Sequence, residues 1–308
     1  MMNKDLRIVF MGTPDFAVPS LKILVENNYN VVGVITAPDK PAGRGRKLHM
    51  SPVKEYALEA GLNILQPTNL KNEEFQAELK ALKVDLQIVV AFRMLPESVW
   101  DMPRIGTFNL HGSLLPDYRG AAPINWAIIN GEKVTGVTTF FLQHEIDTGD
   151  VIMREEEPIH EEDTVGDVYL RLMEKGAGTV LKTVKLIEEG NYKTTPQQIV
   201  GEPKHAPKIF KETCKVDFNQ PTEKVYNFIR GLSPYPAAWT EIEGKTYKLF
   251  KVSKVMDSEV EANEKGYATD NKNYFYIKTV DGFISVEEWQ MQGKKRMPVK
   301  AFLLGTKF

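Results

Sequence analysis

The sequence predicts an α/β protein: a doubly wound, mainly parallel sheet, followed by a small C-terminal β-barrel. Three observations carry this. Apolar runs of strand length, LRIVFM at 6–11 and 85–92 among them, alternate with amphipathic helical stretches over the first 190 residues. A polar stretch with Pro196, Pro203 and Pro207 interrupts the pattern. Beyond it, short strand-like runs are separated by turns, the pattern of a small barrel. A chain of 308 residues suits two domains, expected at 1–190 and 209–308 with 191–208 as linker.

Taken in order, residues 6–11 read as a strand buried on both faces. A helix follows over 16–26, with Val18, Leu21, Leu24 and Val25 on one face. Strands are expected at 31–36, 63–65, 85–92 and 105–111, with Ser51 capping a helix that runs to Ala60. A short helix at 124–130 and a strand at 134–142 come next, then an amphipathic helix at 164–188. In the C-terminal part a helix at 221–231 precedes strands at 239–242, 246–255, 274–277 and 283–290.

Composition narrows the function classes. With 42% hydrophobic and 26% charged residues the chain is an ordinary soluble globular protein. No apolar run approaches the roughly 20 residues of a membrane span, and MMNKDLRIVFMG leads directly into a strand rather than a leader, so a cytoplasmic protein is expected. The single cysteine, Cys214, excludes an internal disulfide and is expected to be structural. Residues 205–308 carry 17 Lys+Arg against 13 Asp+Glu, whereas 1–204 carry 22 against 28. The C-terminal third is thus the basic part, which suits a polyanion as well as a merely solvated face. GTPDF stands where a dinucleotide fold would carry G-x-G-x-x-G, which argues against a nicotinamide enzyme. His49, His144, His160 and His205 lack the spacing of a metal site, and no metal is expected. No heptad or apolar seam is visible, so a monomer is expected.

The stretch from Gly106 to Asp150 holds more polar residues than packing needs. Asn109 and His111, two apart at the end of a strand, point to one face. The chain breaks at Gly112 and leaves through Ser113, Leu114, Leu115 and Pro116. After the strand at 134–142, Asp147-Thr148-Gly149-Asp150 returns an acid toward the first strand. In open α/β sheets sites form outside the carboxyl ends of strands. An amide and an imidazolium can stabilise a carbonyl oxygen as its carbon turns tetrahedral, while a carboxylate holds the imidazole charged or takes a proton.

Two further stretches are unusual. Residues 38–54, PDKPAGRGRKLHMSPVK, form a long loop rich in Lys40, Arg44, Arg46 and Lys47, with mobility from Gly43 and Gly45, suited to following phosphates. Phe92, Arg93, Met94 and Leu95 leave the fourth strand and could wall an apolar slot for a flat ring. Near the end, Lys294, Lys295 and Arg296 make a basic turn.

The run FNLHGSLLPDYRGAAPINWAIINGE, followed by TGVT and DTGD, resembles the formyltetrahydrofolate-dependent formyltransferases, and the resemblance covers nearly the whole chain. It implies a Rossmann-like catalytic domain followed by an OB-like barrel. It also implies 10-formyltetrahydrofolate as co-substrate, with Asn109, His111 and Asp147 matching the family's catalytic residues. Folate would lie along Phe92, Arg93, Met94, Leu95, Ser113, Leu114, Leu115 and Pro116. The PAGRG loop is similar to that of the branch acting on aminoacyl-tRNA. That makes initiator Met-tRNA the implied acceptor, with Lys40, Arg44, Arg46, Lys47, Lys208, Lys294, Lys295 and Arg296 as its contacts. Phe92-Arg93 departs from the Tyr-Gly or Phe-Gly pair usual in that branch. Rival readings are a sugar-nucleotide N-formyltransferase, a glycinamide ribonucleotide formyltransferase, and a tRNA-binding module without catalysis.

Overall fold

The computed structural model describes residues 6–42, 47–199, 201–256 and 259–308. They form two compact units that interleave along the chain. Met1–Arg119, Gly136–Glu157 and Tyr169–Lys204 make the first, and Gly120–Thr135, Pro158–Val168 and His205–Phe308 the second.

In chain order the first run of strands is β1 (Ile8–Gly12), β2 (Val31–Ile35), β3 (Lys40–Ala42), β4 (Lys47–His49), β5 (Ile64–Leu65), β6 (Leu86–Val90), β7 (Gly106–His111), β8 (Val134–Phe141) and β9 (Val151–Pro158). Seven of them form one sheet in the order β9-β8-β7-β6-β1-β2-β5. From β5 to β7 every pairing is parallel, while β7 and β8 run antiparallel. The mainly parallel, doubly wound sheet is the expected one. All five residues of β1 are buried, which is what a continuous apolar run needs in order to persist in a sheet covered on both faces. Val9 and Met11 join Phe75, Leu79, Val89 and Val99 in one apolar cluster.

Helix starts follow local chemistry. Ser51 Oγ accepts the Lys54 amide at 3.1 Å ahead of Pro52–Glu59, and Asn72 Oδ1 accepts the Phe75 amide at 2.9 Å ahead of Glu73–Ala81. That second helix was not among the sequence expectations. The strand expected through Phe92 stops at Val90, because Ala91 takes φ +48 and turns the chain out of the sheet. β9 was also unforeseen. It is the last strand of the sheet, and its run REEE hides the alternation; charges on an edge strand discourage pairing with other chains. Part of the stretch expected as a loop at 38–54 is paired strand. β3 and β4 pair as a hairpin, Lys40 opposite His49.

In the second unit the helix Thr222–Arg230 begins at a carboxylate. Asp281 Oδ1 accepts the Thr222 amide at 2.7 Å and its hydroxyl at 2.8 Å. The strands are β10 (Ala238–Ile242), β11 (Lys245–Val255), β12 (Tyr267–Thr269), β13 (Phe275–Lys278), β14 (Phe283–Met291) and β15 (Met297–Pro298). They run β10-β11-β14-β13-β12 with β15 on β14, and each of these pairings is antiparallel. The described residues give an open, curled path rather than a closed ring. Its interior is aromatic: the Tyr247 and Trp289 rings lie 4.6 Å apart and those of Phe275 and Trp289 5.0 Å. Cys214 is buried among the apolar residues of this unit, and its thiol contacts the Phe210 carbonyl at 3.2 Å. Burial pushes that thiol up from its ordinary value.

Candidate active site

At the carboxyl end of β7, Asn109 lies opposite Phe140 and His111 opposite Thr138 of β8. The period of two along a strand sets Asn109 and His111 on one face. His111 is 6% exposed, and its Nε2 lies 2.8 Å from the Tyr118 carbonyl. A carbonyl only accepts, so Nε2 carries the hydrogen. Nδ1 is therefore the nitrogen turned to Asp147, whose Oδ2 lies 3.9 Å away. That separation is an ionic contact rather than a hydrogen bond. The sequence-predicted His and Asp are thus brought together, with Asn109 half-buried two residues before.

The turn after β7 is pinned from below. Thr138 Oγ1 donates to the Ser113 carbonyl at 2.7 Å and accepts the Leu115 amide at 3.1 Å. Ser113 Oγ donates to the Asp117 carbonyl at 2.6 Å, and Arg154 Nε donates to the Leu115 carbonyl at 2.8 Å. Gly136 in β8 lies so close that a Cβ would sit 2.2 Å from the Glu155 carbonyl and 2.5 Å from Leu114 Cδ2. Of the four predicted folate residues here, Ser113 and Leu115 turn inward, Leu115 against Phe140 and Val151. Leu114 and Pro116 remain half-buried, so they and the backbone are what this turn offers a ligand.

Asp147, itself half-buried at the end of an exposed loop, has φ +57, the left-handed region. The loop lies against the segment after β6: His144 Nε2 is 3.4 Å from Glu97 Oε1, and the His144 and Trp100 rings meet edge-on at 5.5 Å. In that segment Leu95 is buried and Phe92 packs on the core, while Met94 is 73% exposed, as is Ile146 of the loop at 62%. The Arg93 guanidinium donates to the Thr68 carbonyl at 2.9 Å and to the Pro67 carbonyl. Burial pushes it below its ordinary value. Arg93, Met94 and Leu95 with Thr68 to Lys71 line a cleft of about 450 Å³. A larger cleft of about 550 Å³ lies in the second unit, lined by Glu241, Glu243, Lys265 and Lys278 among others. Size does not choose between them; the His111–Asp147 contact lies in the first unit, with Asn109 on the same face of β7.

The predicted phosphate contacts belong to both units. Arg44 and Arg46 lie outside the described residues, as does the side chain of Lys47; Lys40 is exposed on the hairpin. Lys208 stands over the Phe210 ring at 5.4 Å, and Lys294 and Lys295 are exposed. Arg296 is already engaged, 2.6 Å from Glu288 Oε2 and stacked 4.2 Å over Phe250. Sequence reasoning missed Tyr118, whose backbone carbonyl orients His111, as well as Thr138 and Gln197. None carries a signal in the sequence, since their contacts are made by backbone or span long separations. Among the described residues no group of three His, Cys, Asp or Glu side chains is arranged for a metal, and no helix is long and apolar enough to cross a membrane.

A family model described as formyl transferase matches residues 6–184, and one described as formyl transferase, C-terminal domain, matches 208–307. The chain belongs to the formyl transferase family. A curated methionyl-tRNA formyltransferase of Bacteroides fragilis is 56% identical over 313 residues, 99% of this chain and 96% of that protein. One of Flavobacterium johnsoniae is 54% identical over 308 residues, covering 99% and 98%. Among solved structures, WlaRD, a sugar 3N-formyl transferase in the presence of dTDP and 5-N-formyl-THF, shares the formyl transferase fold. Its TM-score is 0.69 at 22% identity, over 94% of this chain and 99% of that one. HypX from Aquifex aeolicus in complex with tetrahydrofolic acid has a TM-score of 0.63 at 23% identity over 97% of this chain, which spans about half of HypX, 47%.

Proposed function

We propose that the chain transfers the formyl group of 10-formyltetrahydrofolate to the amino group of methionine on initiator tRNA, as a cytoplasmic monomer. The single observation that carries the chemistry is His111, held by a carbonyl on one nitrogen and facing Asp147 with the other. The residues fit a folate: apolar Met94 and Ile146 stand exposed on two segments that touch through His144, Glu97 and Trp100. When bound, the folate supplies an activated one-carbon acyl group. Asn109 and Nδ1 of His111, once protonated, donate to the formyl oxygen as charge grows on it when the amine attacks. Asp147 faces the imidazole across 3.9 Å, balances the charge of its protonated form and helps remove the amine's proton. Full-length similarity to curated methionyl-tRNA enzymes supports the acceptor, and the exposed lysines at 40, 208, 294 and 295 suit its phosphates.

The test is a competition between Met-tRNA and a nucleotide-sugar amine with 10-formyltetrahydrofolate present. Formylated Met-tRNA is expected, and formylation of the sugar alone would overturn the acceptor. Asn109→Ala and His111→Ala should each lower kcat by about 10²–10³, the worth of one oxyanion donor, with tRNA affinity retained.

A further inference from the structure

Gln197 lies in the polar stretch that sequence reasoning assigns to a linker, yet its amide is bonded on every side. Nε2 donates to the Asp147 carbonyl at 2.8 Å and to the Gly149 carbonyl at 2.9 Å. Oε1 accepts from Arg119 Nε at 3.2 Å and Nη2 at 2.6 Å. The orientation has no alternative, since the reverse would set an amide nitrogen against a guanidinium and an oxygen against two carbonyls. Its own backbone is anchored nearby, Thr195 and Val151 exchanging two hydrogen bonds of 2.9 Å. The two carbonyls it gathers flank Thr148, on the turn in which Asp147 takes φ +57. A non-glycine residue in the left-handed region is disfavoured on its own and persists where surrounding contacts over-determine it.

We propose that Gln197 is a positioning residue: it fixes the backbone of the Asp147 turn and so the place of the carboxylate 3.9 Å from His111. The proposal rests on the catalytic reading of Asp147 above. Arg119 acts behind it, locking the amide. The residue touches no reacting atom, so its effect belongs in turnover rather than in binding.

The experiment compares Gln197→Ala and Gln197→Glu with the unsubstituted protein, and repeats Gln197→Ala in an Asp147→Ala background. Gln197→Glu keeps an acceptor for Arg119 but presents oxygen to both carbonyls. Both single variants should lose about 10- to 100-fold in kcat, the scale of a small misplacement, with KM for folate and for Met-tRNA within about threefold. In the Asp147→Ala background Gln197→Ala should add nothing, because the group it positions is gone. Unchanged kcat in Gln197→Ala, or an equal further loss in the Asp147→Ala background, overturns the role. Collapse of the thermal transition in both single variants also overturns it, since Gln197 would then hold the unit rather than the turn. Full activity of Asp147→Ala itself defeats the catalytic reading and the positioning role with it. That result is distinct from an active Gln197→Ala beside an inactive Asp147→Ala.

Discussion

Gly149→Ala offers a sharp test of the site geometry. A Cβ at 149 would lie 1.7 Å from the Phe141 carbonyl oxygen, 2.9 Å from its carbon and 3.3 Å from Phe140 Cδ2. An ordinary contact begins at 3.4 Å, so about 1.7 Å must be recovered. The obstacle is backbone at the end of β8, and the next amide, Leu142 N, is tied to the Thr107 carbonyl of β7 at 2.8 Å. The sheet is therefore the stiffer partner, and the 147–150 turn has to move. A displacement near 1 Å at a catalytic group costs about 10²-fold, which is ~2.7 kcal/mol of barrier. Steady-state formylation of Met-tRNA should show kcat reduced at least 100-fold, while the thermal transition survives at a lower midpoint. A variant within threefold of the original rate would refute the claim that this turn places Asp147.

Other outcomes follow from local contacts. In the helix Val165–Glu188, Gly178 has nothing within 4 Å of an added Cβ, so Gly178→Ala should raise stability by about 0.5–1 kcal/mol, read from denaturant melts. Two residues earlier, a Cβ on Gly176 would sit 2.7 Å from Leu110 Cδ2, between Asn109 and His111 in sequence, and Gly176→Ala should instead destabilise by about 1–3 kcal/mol. Ser51→Ala removes the cap of Pro52–Glu59 and should cost about 1 kcal/mol in the same assay. A hydrogen bond from Lys54, with a second from Gln66, holds the Asp39 carboxyl below the usual carboxylate range. Its folded pKa is depressed, so the contribution is present above the unfolded value of about 3.9 and is lost as pH falls through the folded one. Asp39→Asn should accordingly flatten the acid side of the stability profile and leave the acid profile of neighbouring carboxylates intact.

The core of the first unit was legible because its strands are continuous apolar runs. β1, β2 and β6 begin within two residues of expectation, since burial on both faces leaves room for little else. β9 was not legible: as an edge strand it carries REEE, and charge that guards an edge also erases the alternation that would reveal it. Phe92 was misplaced into the fourth strand because nothing in its composition marks Ala91 as the residue with positive φ. The hairpin β3–β4 was hidden for a similar reason, a glycine- and charge-rich stretch giving no strand signal.

For the site, sequence alone determined which chemical groups are present and, through the two-residue period of a strand, that Asn109 and His111 share a face. It could also place Asp147 on a returning turn after the next strand. What it could not determine is which imidazole nitrogen meets the acid, because the Tyr118 carbonyl decides that across a turn whose shape depends on Thr138 and Arg154. Nor could it connect Gln197 to a turn 50 residues away, or show that 120–135 clusters with the C-terminal strands. Local patterns record the period of a backbone; contacts between distant segments depend on how separately specified elements pack, and that is settled only when the chain has folded.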